Sequence, residues 1–118
     1  MNRLVIEILD VVGESAVTPE DGQRIYERIH PALREGRAVL LTFTGVRVLS
    51  PPFLTTAVGR LLEDIPYDDI VRGLGTRGLS RQDAELLERV IVNGREYYGE
   101  PDARHAIDQG IPDAAEDD

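Results

Sequence analysis

No cysteine, lysine or tryptophan occurs in the 118 residues, and aromatic residues make up only 5%. The missing cysteine excludes disulfides, thiolate nucleophiles and cysteine-ligated metals, and suits a reducing compartment. With two phenylalanines and no tryptophan, the core must be built from valine, leucine and isoleucine. Without lysine, all thirteen basic side chains are arginine, which reads as the mark of a GC-rich genome, with a salt-loving host as the alternative. The longest nearly apolar stretch, residues 38–49, is far shorter than a membrane span and contains Arg47. The N-terminal MNRLVIEILDVV is broken by Glu7 and Asp10 and lacks a small-residue cleavage site. Together these point to a soluble cytoplasmic protein that neither crosses nor binds a membrane.

The formal net charge is −9, and it is unevenly placed. Residues 100–118 carry seven acids against one arginine, so the body before them is only mildly acidic. Such a surface offers no basic patch for phosphate backbones, which argues against nucleic acid as a partner. The expected division is one domain over residues 1–99 and an acidic, partly disordered tail over 100–118.

Periodicity supplies the elements. Residues 3–12 alternate like a first strand. Thr18, Pro19, Glu20 and Asp21 then read as a helix start, with a threonine cap and acids facing the dipole. Ile25, Ile29, Ala32 and Leu33 repeat at helical spacing, and Pro31 is expected to bend or end that helix. Residues 38–43 form a continuous apolar run, predicting a central strand covered on both sides. A serine-proline-proline-phenylalanine corner at 50–53 opens a further helix over 52–64, with Phe53, Ala57, Val58 and Leu61 inward. Residues 69–73 (DIVRG) read as a short strand. Ser80 caps a last helix whose inner positions are Ala84, Leu87, Val90, Ile91, Gly94 and Tyr97 or Tyr98. Strands alternating with helices predict an α/β domain, with a mainly parallel or mixed sheet of three or four strands and about three helices.

Catalytic spacing is missing. His30 and His105 stand near no serine or paired acid in a usable arrangement, and two distant histidines do not make a metal site. The pairs Glu63-Asp64 and Asp68-Asp69 read as solvated loop charges. The glycine-rich run from Gly73 to Gly78 (GLGTRG) lacks the Gly-Lys-Ser/Thr ending of a phosphate loop and reads as a flexible connection. No cofactor is implied. Ser50 reads first as a helix cap, while Thr55 and Thr56 lie one turn in, on the helix surface. Phe53 is either core beneath the helix or, turned outward, a partner anchor.

The run VLLTFTGVRVLSPPFLTTAVGRLL resembles the STAS-like domain family, related to the anti-sigma-factor antagonists. Phe43, Gly45, Val46, Pro52, Phe53, Gly59 and Leu61 fit that pattern, and residues 79–98 resemble the family's closing helix. The resemblance covers roughly residues 4–98. It implies a non-enzymatic signalling or interaction module that docks a protein, a GHKL-type ATPase or sensor kinase, through residues 49–56. The expected contact residues are Ser50, Pro51, Pro52, Phe53, Thr55 and Thr56. Thr42 stands where the pattern has Asp, and Thr55 where it often has Asn. Pro51 occupies the usual phosphoacceptor position, leaving neighbouring Ser50 as the candidate hydroxyl. The second reading, from another class, is a small-molecule or nucleotide-binding domain using residues 73–78. A homo-oligomer is compatible with either.

Overall fold

The computed structural model describes residues 3–99. The acidic segment 100–118 and His105 therefore lie outside the described residues. Strand β1 (Leu4–Glu7) is followed by a short helix α1 (Ile8–Val12), a two-residue strand β2 (Ser15–Ala16) and the long helix α2 (Pro19–Arg34). Strand β3 (Val39–Thr42) and strand β4 (Val48–Leu49) lead into α3 (Pro51–Ala57) and a 3-10 segment (Gly59–Glu63). Helix α4 (Tyr67–Gly73), strand β5 (Leu74–Arg77) and helix α5 (Arg81–Tyr98) complete the order. The main sheet is parallel with order β1-β3-β5, and β2 pairs with β4 in a separate parallel ribbon. The domain is thus α/β as expected, but its five strands form two parallel sheets, and five α-helices are present among the described residues.

The predicted caps are in place. Thr18 Oγ1 accepts the Asp21 backbone N–H at 3.1 Å, and Ser80 Oγ accepts that of Asp83 at 3.1 Å. Ile25, Ile29, Ala32 and Leu33 are all buried, so the apolar stripe of α2 lies on the core. Pro31 does not end this helix, which runs on to Arg34. The carbonyl left without a donor is that of Glu27, four residues back and exposed, so it can turn to water. Gly36, at φ +81°, makes the stop.

Three expectations about strands are corrected. Residues 3–12 are not one strand: after Glu7 the chain coils into α1, because Ile8, Val11 and Val12 at helical spacing can all reach the core. Residues 69–73 are the end of α4, not a strand. Pro66 precedes that helix, Asp68 and Asp69 occupy its first turn and Arg72 its last, a charge order that favours a helix. The third strand of the main sheet is instead β5, Leu74–Arg77, inside the run read as a flexible connection.

The central strand is buried on both faces as expected, all four residues of β3 included, whereas the edge strands are exposed on the face away from the core cluster. Leu4, Ile6, Val39, Leu41 and Leu74 belong to or pack against the one hydrophobic core. Val5, Leu40 and Gly75, alternating with them, point to the opposite face, where Val5 is 47% exposed.

Candidate functional site

The corner is built by two parallel strand residues and a doubly used serine. In the β2–β4 ribbon Ser15 pairs with Val48 and Ala16 with Leu49, and the Ser50 N–H donates to the Ala16 carbonyl at 3.1 Å. Ser50 Oγ then donates to the Val17 carbonyl at 2.7 Å and accepts the Phe53 N–H at 3.4 Å. One hydroxyl therefore both anchors the preceding loop and caps α3. A phosphoryl group on this oxygen would remove the donor to Val17. Ser50→Ala is expected to cost about 1–2 kcal/mol, from the lost cap and the orphaned carbonyl. Urea unfolding checks it, and an unchanged midpoint would show that the hydroxyl does neither job.

The six residues expected at the corner separate in space. Pro51 and Pro52 are exposed in the first turn of α3, and Thr55 is exposed one turn later. Phe53 is fully buried, so its ring fixes the helix to the core and presents nothing to a partner. Thr56 faces α2: a Cβ at Gly22 would lie 2.9 Å from its own. Pro51 and Thr55, in contrast, line one wall of a groove of about 550 Å³.

The other wall is α5, contributing Leu86, Arg89, Asn93 and Tyr97, with Gly59 and Gly94 as the floor. Close approach makes the floor. A Cβ at Gly94 would lie 2.9 Å from the Gly59 carbonyl oxygen, so the last helix crosses the 3-10 segment almost backbone to backbone. The groove is mainly apolar, with the Arg89 guanidinium, the Asn93 amide and the Thr55 hydroxyl as its polar groups. Tyr97 stands at the rim, 82% exposed, and meets Tyr98 edge to face at 4.9 Å between ring centres.

The α5 half of this site was out of reach of sequence reasoning. Its legible trace was the Leu86, Val90, Gly94 and Tyr97 spacing, which reads equally as an ordinary helix face. Ala84, expected inside, is exposed at the start of α5.

Two polar features are structural. Asp64 is not a free loop charge: its carboxylate oxygens accept from His30 Nε2 at 2.9 and 3.0 Å and from Arg34 at 2.6 Å. His30 is half-buried here and stacks with Tyr26 at 5.1 Å. Burial pushes the Tyr26 phenol above its usual value, and nearby Asp64 adds to the shift. Arg60 lies over the Tyr26 ring at 4.5 Å. The group ties α2 to the end of the 3-10 segment. No cluster of three metal-ligating side chains occurs among the described residues.

The run 73–78 does not form a phosphate cradle. Residues 74–77 pair in register with 39–42, and the Phe43 N–H donates to the Arg77 carbonyl at 2.8 Å. Gly78, at φ +86°, sits where a Cβ would be 2.8 Å from the Thr44 nitrogen, which accounts for a glycine as a turn residue.

The chain belongs to the family of STAS-like domains of unknown function (DUF4325), whose model matches residues 21–84. That span runs from the first turn of α2 to the first turn of α5 and contains β3, the corner and β5. No curated protein and no solved structure gives a significant match. Among the described residues no helix is long and apolar enough to cross a membrane.

Proposed function

We propose that the chain is a non-enzymatic interaction module that docks a protein partner in the groove between α3 and α5. The observation that carries this reading is the position of Pro51 and Thr55. These two of the three exposed residues of the corner lie on the wall of an apolar groove, facing Arg89 and Asn93. Apolar area with a few fixed polar groups is what a recognition site requires. Pro51 and Pro52 limit the freedom of the free corner, so less entropy is lost when it is engaged. The resemblance to the anti-sigma-factor antagonists makes a GHKL-type ATPase or sensor kinase the partner to test first. With proline at the usual phosphoacceptor position and the Ser50 hydroxyl held by Val17, binding is constitutive at this corner, or is regulated elsewhere.

Thr55→Glu places a charge on the groove wall without touching the core. It is expected to weaken capture of the ATPase about tenfold or more, with little change in melting temperature. Arg28→Glu, on the exposed side of α2, should leave capture unchanged. The test is a pull-down from native extract with all three proteins, with the captured chain identified by mass spectrometry. Equal capture by wild type and Thr55→Glu would rule the groove out. Capture that depends on phosphate at Ser50 would overturn the constitutive reading.

A further inference from the structure

We infer that the groove between α3 and α5 is occupied, in the free protein, by the chain's own acidic segment, residues 100–118. The inference rests on the proposed reading of the groove as a docking site, and names what a partner has to displace there. Two apolar grooves flank α5, and they differ in charge. The first, of about 550 Å³, has the Arg89 guanidinium as the one charged group among its lining residues. The second, of about 270 Å³, lies against α4 and β5 and has the Glu88 carboxylate instead. Arg89 is exposed and has no carboxylate partner among the described residues.

The acidic segment starts at the end of the first groove. Tyr97 and Tyr98, the last residues of α5, line that groove. Gly99 follows at φ +73°, with its N–H on the Arg95 carbonyl at 2.8 Å. A left-handed glycine there closes the helix and lets the chain leave its axis. From Tyr97 back to Leu86 the groove follows α5 for about 17 Å, at about 1.5 Å per residue. Ile107, eight residues beyond Gly99, has a reach of up to about 27 Å, at about 3.3–3.6 Å per residue. It can therefore be brought to any level of the groove, with chain to spare for the reversal.

The chemistry of the segment selects the first groove. It carries seven acids against one arginine, a charge of −6. Its two large apolar side chains, Ile107 and Ile111, stand four positions apart, with Asp108 between them and Asp113 just beyond. The isoleucines supply apolar area for Leu86 and Val90, and the aspartates supply a partner for Arg89. Against Glu88 the same aspartates would be repelled.

Because the contact is intramolecular, it acts without being strong. A segment tethered this closely has an effective concentration on the order of a millimolar, so an intrinsic dissociation constant of that size means half occupancy. A partner then meets a site that is closed in part of the molecules, and its apparent affinity falls with the open fraction. Occupancy between a half and nine-tenths lowers that affinity about two- to tenfold.

The lack of cysteine allows a test on the full chain with a single label. A nitroxide attached through Gln109→Cys should broaden the amide NMR signals of Thr55 and Asn93. Those of Val71 and Thr76, which border the second groove, should broaden less. Added salt should weaken the effect. Arg89→Glu should sharpen the Thr55 signal again, and so should Ile107→Ser combined with Ile111→Ser. The isoleucine pair leaves every groove residue in place, and should raise capture of the ATPase about two- to tenfold. Groove signals untouched by the label would overturn the inference. So would broadening centred on the second groove, broadening that survives both sets of substitutions, or capture unchanged by the isoleucine pair. The label is read on the chain alone. Broadened groove signals with no ATPase captured by any variant would defeat the partner reading and leave the internal contact standing.

Discussion

Replacing Phe53 by alanine is expected to cost the fold about 4 kcal/mol, a large part of what a small domain has. The ring is fully buried, among the largest side chains with no exposed surface, in a core with only one other phenylalanine, Phe43. Its helix packs between α2 and α5, which are distant in the chain, so the cavity cannot close by one local adjustment. The loss combines the transfer free energy of the ring with the empty volume left behind. In urea the unfolding midpoint should fall sharply while the slope stays near the wild-type value. A loss below about 1 kcal/mol would mean that the side chain sits at the surface, and would restore it as a partner anchor.

Gly22→Ala should be almost as damaging, although alanine is the better helix former. A Cβ at this position would lie 2.5 Å from the Phe53 carbonyl oxygen and 3.2 Å from the Ala57 nitrogen. Both are backbone atoms of α3, so no side chain can swing aside and one helix must move. The gain in helix propensity is about 0.5–1 kcal/mol, against about 3 kcal/mol for forcing two packed helices apart. A net loss of about 2–3 kcal/mol follows, or a melting temperature lower by on the order of 10 °C. Unchanged or raised stability would show that α2 and α3 are farther apart than this geometry has them. Because α3 carries Pro51 and Thr55, the same substitution should displace one wall of the groove.

What the sequence disclosed follows the range of the physics involved. Helix caps are local, and Thr18 and Ser80 were legible because three residues decide them. The buried β3 was legible because a continuous apolar run has few other outcomes. The segment 67–77 misled because its glycines weaken a strand signal, while the acids of the first turn of α4 were read as loop charge. Gly75 is in a strand and faces Leu40, a fact visible only once β3 is beside it. The groove was half legible for the same reason. Pro51 and Thr55 announce a corner, but Arg89 and Asn93 join it only because Gly59 and Gly94 let α5 approach.

The order of strands in the main sheet matches their order along the chain, and this bears on synthesis. As the chain leaves the ribosome, β1 can pair with β3 once α2 has been made, and β5 then adds to the free edge. Nothing made early must wait in an unpaired state for a strand encoded at the far end. The exception is the groove, whose second wall is the last described element. A nascent chain that already holds most of its core still lacks the complete groove until α5 has emerged and settled on Gly59. If the groove is the docking site, as proposed, only chains synthesised through α5 can compete for a partner, and an interrupted chain would fold in part without drawing any of it away.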